Sequence, residues 1–328
     1  MAAALGVLGV TTPFFALVLL GWVAVRCGQL EAAAVPGLNR FVLFVALPAM
    51  LLRFAAVTPI AQLLDPVVLG CYLAAAVAMV ALALGWARRA GQGWADGAFG
   101  ALLAAFPNSG FMGVPLLVAL LGPAAAAPAI VALAVDMVVT SSLCIALSQL
   151  GGGDARAALW RVARGMVLNP LPWAIGLGTT LSASGWRPAP PVWRVVELLA
   201  DAASPVALFA LGAMLAGGGL GWRAPVARVA VPVALKLLLH PLLVALACAL
   251  ARQAGAPLEP MAMTVLVLLA ALPGASNVPI LGERYGADPH RLALVVLWGT
   301  VAAFATFSLA AALLHPAAPV AASARSRG

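Results

Sequence analysis

Apolar residues run along this chain in blocks of about twenty, with no polar face recurring every three or four positions. Pro66–Trp86 and Val226–Leu250 are two such blocks, each long enough to cross a ~30 Å hydrocarbon core as a helix rising ~1.5 Å per residue. Short polar or proline-marked breaks separate them. The pattern predicts spans at 5–25, 33–52, 66–87, 97–121, 124–148, 167–185, 193–216, 226–250, 260–281 and 291–314. The predicted fold class is therefore an all-α membrane protein of ten transmembrane helices. The longest polar break, 149–164, contains Gly151-Gly152-Gly153-Asp154 and then Arg156, Arg161 and Arg164, and it leaves five spans on each side.

The halves echo each other. Thr12-Pro13 answers Asn169-Pro170 and Pro48 answers Pro205, both 157 positions apart; Pro66 and Pro225 are 159 apart. Pro107 and Pro115 answer Pro273 and Pro279, at 166 and 164. Five spans per half is an odd number, so the second half is expected upside down relative to the first, the inverted-repeat plan of secondary transporters. The expected organisation is a first repeat at 1–148, a cytoplasmic linker at 149–166, a second repeat at 167–314 and a disordered Pro/Ala/Ser/Arg tail at 315–328.

Composition agrees: 64% of residues are hydrophobic and 9% charged, with mean hydropathy +1.09. Soluble domains carry about 25% charged residues, too many for a chain like this to match. The net charge of +8 would suggest nucleic acid in a soluble protein, but here the basic residues lie in short loops and set orientation. With the N-terminus outside, inward loops hold eleven arginines and outward segments six, which predicts both termini outside a bacterial inner membrane. The first 25 residues hold no Lys or Arg, so the opening segment reads as a true span rather than a leader. Cys27, Cys71, Cys144 and Cys248 show no Cys-x-x-Cys spacing and read as small buried hydrophobes.

The candidate chemistry lies in two interruptions. Span 4 contains Phe106-Pro107-Asn108-Ser109-Gly110-Phe111-Met112-Gly113-Val114-Pro115, and span 9 contains Leu272-Pro273-Gly274-Ala275-Ser276-Asn277-Val278-Pro279. Each interior proline costs a helix about 3 kcal/mol. Broken backbone at bilayer depth is tolerated only where protein or a wet cavity satisfies it. A proline kink explains either motif alone. Two Pro–Asn–Pro breaks at matching places in inverted halves instead predict crossed half-helices whose N-terminal ends favour an anion, a carboxylate above all.

Phe106–Leu117 (FPNSGFMGVPLL) closely resembles the span-4 signature of the auxin efflux carrier family, which includes plant PIN-type auxin exporters and bacterial malonate-type carriers. Asn169-Pro170, Ser204–Leu211 with Gly212, and Leu272–Gly286 are similar to that family as well, so the likeness runs through the whole chain in order. The resemblance implies the fold of bile-acid symporters and sodium/proton antiporters, with a scaffold of spans 1, 2, 6 and 7 and a mobile core of spans 3, 4, 5, 8, 9 and 10. It also implies elevator-type transport of small carboxylates, with the crossover asparagines at Asn108 and Asn277; a second copy of the chain, as a homodimer, is an expected partner. The long loop of the plant exporters is absent, so loop regulation does not carry over.

Among the ionisable residues within spans, Asp136 and Lys236 carry the candidate chemistry. Asp136 is near the middle of span 5, where a charged Asp costs roughly 2.5–3.5 kcal/mol, and Thr140 shares its face one turn on. Lys236 lies within span 8. Asp136 is expected to bind a proton or a polar substrate group and Lys236 to balance substrate or half-helix charge; the structural alternative is an Asp136–Lys236 pair or a snorkelling lysine. His240 reads as a satisfied helix residue before Pro241, and Arg194, Glu197 and Asp201 as one local ion-pair face.

The expected substrate site comprises Asn108 and Asn277 with Pro107, Gly110, Pro273, Ser276 and Thr140, tuned by Asp136 and Lys236. The prolines would keep the half-helices apart, and the asparagines would satisfy loose backbone and contact the carboxylate. The expected partners are a small carboxylate, H+ or Na+ as coupling ion, and the bilayer, with no cofactor, metal or nucleic acid. A cation/proton antiporter is the nearest alternative, although it would want a pair of deep carboxylates. An intramembrane enzyme finds no Gly-x-Ser-Gly, His-Glu-x-x-His or Walker lysine here, and the Gly-x-Gly-Asp match Gly151-Gly152-Gly153-Asp154 lies in the polar break between the halves rather than in a span; a sensor on the same fold stays open.

Overall fold

Uninterrupted apolar blocks form single long helices, and blocks interrupted by Pro and Gly break. The fold, a computed structural model, describes residues 2–151, 160, 164, 167, 170–217 and 226–314. The first half comprises α1 (Ala2–Arg26), α2 (Val35–Phe41), α3 (Leu47–Val57), α4 (Ile60–Leu63), α5 (Pro66–Arg89), α6 (Trp94–Ala105), α7 (Val114–Leu121), α8 (Ala126–Val135) and α9 (Ser141–Ser148). The second comprises α10 (Pro170–Ser184), α11 (Pro190–Gly217), α12 (Val226–Ala234), α13 (His240–Gln253), α14 (Pro260–Ala270), α15 (Val278–Glu283) and α16 (Pro289–Leu314). Every regular element among the described residues is helical, apart from one isolated antiparallel bridge between Pro107 and Gly274.

Seven helical stretches among the described residues are long and apolar enough to cross a membrane: Gly9–Arg26, Val35–Val57, Ile60–Arg89, Pro123–Gly151, Pro190–Ala216, Val226–Gln253 and Pro289–Leu314. Two further expected spans, 97–121 and 260–281, are broken in the middle, leaving the shorter apolar helices Ser109–Leu121 and Pro260–Ala270. The expected span 167–185 is described as a helix only from Pro170 to Ser184. Asn169, Pro225, the Gly152–Asp154 run, Arg156, Arg161, Arg223 and the 315–328 tail lie outside the described residues.

Local chemistry sets the helix ends. Asp65 caps α5, accepting from the amides of Val67 at 2.8 Å and Val68 at 3.1 Å, while Pro66 occupies a first-turn position that has no intrahelical partner to lose. Gly122, at φ +89°, ends α7 in a conformation that a β-carbon would strain. Three helix pairs are joined through single π-turns, at Val42–Ala46, Asp136–Thr140 and Leu235–Leu239, and a fourth π-turn, Ser109–Gly113, opens into α7. Two of these turns carry Asp136 and Lys236. A π-turn inserts one residue into the spiral, a feature that recurs at functional sites.

The packing forms two groups of helices. In the first, α1 packs on α11, and α3 packs on both α10 and α11. Glycine permits the closest crossings. A β-carbon on Gly21 would land on the Phe209 carbonyl, and one on Gly178 would lie 2.6 Å from the Leu52 carbonyl oxygen. Gly21 and Gly178 are 157 positions apart, and so are Leu52 and Phe209. The α1–α11 contact is thus repeated by the α10–α3 contact at the offset already visible among the prolines. The second group comprises α5, α6, α8, α9 and α12 to α16. Here α6 is buried on all sides from Gly97 to Ala105, because neighbours surround it completely. Contacts between the groups are sparser: Thr11 Oγ1 and Ser308 Oγ are 3.4 Å apart, and Phe15 meets Phe304 edge-on at 5.0 Å. Cys71, Cys144 and Cys248 are buried and unbridged, as expected, whereas Cys27 is exposed at the end of the first span.

Candidate functional site

The two interrupted segments meet. After α6 ends, Phe106 takes an extended conformation (φ −99°, ψ 102°) and Pro107 cannot donate, so the chain leaves the helix for three residues before the Ser109–Gly113 π-turn leads into α7. After α14 ends, residues 271–277 are likewise non-helical until α15 begins. These stretches pair with each other like a fragment of β-sheet. The Asn108 amide donates to the Pro273 carbonyl at 2.8 Å, and the Ala275 amide donates to the Phe106 carbonyl at 3.0 Å. Gly274 is required at the crossing, since a β-carbon there would lie 2.8 Å from the Leu103 carbonyl oxygen. Backbone that would be intolerable in lipid is therefore satisfied by the partner segment.

This pairing corrects one expectation. The asparagine side chains do not satisfy the loose backbone; the two main chains satisfy each other. Asn108 and Asn277 both occupy the residue just before the second helical piece, and neither side chain caps it. Asn108 is 3% exposed and its Nδ2 has no partner, whereas Asn277 is half-buried. Pro107, Pro273 and Ser276 are buried beside them. Gly110 is half-buried, and a β-carbon there would lie 3.7 Å from the Leu47 methyls of α3, so Leu47 of the first helix group closes over this edge of the site.

A second polar cluster adjoins the crossover. Asp136 is fully buried; its carboxylate accepts from the Tyr72 hydroxyl at 2.7 Å and from Thr140 at 3.1 Å. Thr140 thus shares the face of Asp136, as its spacing predicts, but it serves the carboxylate. Lys236, 2% exposed, donates to the Ala270 carbonyl at 2.7 Å and lies 2.9 Å from His240 Nδ1. Ala270 is the last residue of α14, so the ammonium stands at the negative end of the first half of the broken span. The Tyr72 and His240 rings lie 6.1 Å apart, linking Asp136 and Lys236 into one polar layer across α5, α8, α12 and α13. The pairs closer than 4.0 Å among the described residues are Arg53–Asp201, Arg194–Glu197 and Arg291–Asp96; Asp136 and Lys236 are not among them.

Burying a carboxylate and an ammonium without direct contact costs several kcal/mol per ion, and the hydrogen bonds offset only part of that. Asp136 is the one buried carboxylate among the described residues. Sequence reading overlooked Tyr72, although a hydroxyl in the middle of an apolar span, in a chain with two tyrosines, was the available signal. The Ala270 carbonyl carried no signal, because only the break leaves it without an amide partner. His240 is half satisfied, since its Nε2 is buried without a partner. Arg194 pairs with Glu197 at 2.9 Å as expected, but Asp201 bonds Arg53 of α3 at 2.6 Å, so the presumed local face is partly a long-range tie.

Comparison with known proteins identifies the family of this chain. The sequence profile of the membrane transport protein family matches residues 10–156 and 154–311. A Rhizobium meliloti protein named "Putative malonate transporter" is 30% identical over 303 residues, covering 91% of this chain and 92% of that protein. A Methanothermobacter thermautotrophicus protein named "Uncharacterized transporter" is 28% identical over 301 residues, covering 89% of this chain and 93% of that protein. With its several apolar helices, this chain is a multi-pass membrane protein of the membrane transport protein family, the auxin efflux carriers, and it is a transporter rather than an enzyme.

Proposed function

We propose that this transporter carries small organic anions, of the mono- or dicarboxylate class, across the bacterial inner membrane by alternating access. One observation carries the reading: the asparagines at matching breaks flank the Pro107–Gly274 bridge, neither side chain caps its helix, and the Asn108 side-chain amide is buried without a partner among the described residues. A buried, unpaired amide costs about 1–3 kcal/mol, which a carboxylate accepting from it would offset. The partial positive charge at the start of the Ser109–Leu121 helix adds to the attraction. The relative named for malonate supports the same substrate class.

The ten-span inverted repeat and the two-body mechanism belong to this proposal. The repeated glycine–carbonyl contact at an offset of 157 supports the repeat. The helix groups support a scaffold of spans 1, 2, 6 and 7, along which a core of spans 3, 4, 5, 8, 9 and 10 slides. In this reading, Lys236 neutralises the C-terminal end of α14 while the broken ends move, and Asp136 with Tyr72 and Thr140 provides the charge-coupling group. Positive-inside counting supports both termini outside.

Uptake into proteoliposomes of labelled mono- and dicarboxylates, with and without proton and sodium gradients, tests the reading. The expected outcome is saturable uptake of a small carboxylate that falls at least tenfold in Asn108→Ala and Asn277→Ala. Wild-type uptake by both folded variants, or movement of a cation with no carboxylate, refutes it.

A further inference from the structure

Lys236 is the only lysine in the sequence, and its four-carbon stem is free to swing. The buried carboxylate of Asp136 attracts it, yet the two do not approach within 4.0 Å. Two acceptors hold the ammonium at the end of α14 instead: the Ala270 carbonyl at 2.7 Å and Nδ1 of His240 at 2.9 Å. An ammonium has only protons to give, so Nδ1 accepts and the ring proton is assigned to Nε2. The imidazole is then neutral. A carboxylate in its place would cancel the charge that Lys236 brings to the negative end of α14, whereas a neutral acceptor fixes the direction of the ammonium and leaves its charge intact.

Local sequence sets the ring where it is. His240 closes the Leu235–Leu239 π-turn, its amide bonding to the Leu235 carbonyl five residues back. Pro241 follows and has no amide to offer the next carbonyl, so the wide turn ends at His240. Both side chains face inward, His240 fully buried and Lys236 nearly so. The ring serves through one nitrogen, because Nε2 is buried without a partner. An idle buried donor weakens the fold, so the use of this ring lies on its Nδ1 side.

We infer that His240 is a positioning residue: as its Nε2–H tautomer it holds the Lys236 ammonium on the Ala270 carbonyl rather than on Asp136, and acts on transport through Lys236. The second half of this statement rests on the transport role proposed above for Lys236.

The single lysine makes the geometry measurable without transport. Full-length protein isotopically labelled at lysine Nζ gives one side-chain nitrogen resonance in solid-state NMR, and histidine labelling, assigned by difference against His240→Asn, reports the tautomer. The expected result is a bare Nδ1 and a protonated Nε2. In His240→Leu the Nζ resonance should shift, and in His240→Asn, whose Oδ1 falls where Nδ1 was, it should return towards its wild-type position. A protonated Nδ1, or an Nζ resonance that His240→Leu leaves in place, overturns the inference.

Uptake of labelled malonate into proteoliposomes reads the action through Lys236. His240→Leu removes the idle donor together with Nδ1 and should stay monodisperse; it is expected to lower kcat about tenfold with KM within about twofold, and His240→Asn should recover most of the loss. In a Lys236→Met background, His240→Leu should cost nothing further. Wild-type kcat in His240→Leu, no recovery in His240→Asn, or an equal further loss in the Lys236→Met background overturns the inference. If wild-type vesicles take up no carboxylate at all, the substrate assignment falls, while the Nζ resonance still decides whether His240 positions Lys236.

Discussion

The tight helix crossings allow a substitution whose effect can be worked out in advance. At Gly178 a β-carbon would lie 2.6 Å from the Leu52 carbonyl oxygen, 2.7 Å from the Ala55 β-carbon and 3.1 Å from the Ala56 amide nitrogen. The first distance is about 0.7 Å short of the ~3.3 Å at which a carbon rests against a carbonyl oxygen. Backbone cannot rotate away as a side chain can, so Gly178→Ala forces α10 and α3 apart. Overpacking of this kind costs about 1–3 kcal/mol. Alanine also stiffens the helix, which alone contributes up to ~1 kcal/mol of stability. Gly176, two residues earlier on the same helix, has nothing within 4 Å of its would-be β-carbon and experiences only that second effect. Gly176→Ala should therefore raise the melting temperature in detergent slightly. Gly178→Ala should fall below it by the full overpacking cost, a gap of several degrees at ~2–4 °C per kcal/mol. The repeat extends the comparison: Gly21→Ala, whose β-carbon would strike the Phe209 carbonyl, should behave like Gly178→Ala, while Gly9→Ala, in open space, should behave like Gly176→Ala. The assay is fluorescence-detected size exclusion after a heating series. Indistinguishable melting of Gly176→Ala and Gly178→Ala would falsify the crossing geometry and, with it, the structural basis for pairing the two halves.

Three further outcomes follow from the polar layer. Lys236→Met leaves the Ala270 carbonyl without its donor, at a cost of about 1–3 kcal/mol, but relieves the burial of an ammonium, so folding should hold while uptake falls at least tenfold; unchanged uptake in monodisperse protein excludes a transport role for Lys236. Tyr72→Phe removes one of the two side-chain donors to Asp136 without changing shape, and should destabilise by about 1–3 kcal/mol, read as a lower melting temperature; a Tyr72→Phe, Asp136→Asn double variant in which the two losses simply add would mean that the hydroxyl and carboxylate are not coupled. Asp136→Asn alone should change the pH profile of carboxylate uptake, and a profile identical to wild type removes Asp136 from coupling.

The unbroken apolar blocks needed only the local sequence. Their length, their poverty in charge and the absence of water in the bilayer leave a helix as the one way to satisfy the backbone, so helix existence and approximate boundaries were legible before any packing was known. The Pro–Asn–Pro interruptions were legible for the same reason, since proline removes an amide wherever it lies. What fills the gap was not legible. Only the approach of residues 106–108 to residues 273–275, about 166 positions away, supplies the missing hydrogen bonds and so frees the Asn108 side chain, which the sequence alone assigns to satisfying loose backbone. The same holds for the ionisable pair. Sequence places Asp136 and Lys236 in the membrane and makes a mutual ion pair attractive, because each alone is costly to bury. Helix packing instead brings Tyr72 to the carboxylate and the end of α14 to the ammonium, partners created by a crossing and a chain break rather than by any local spacing.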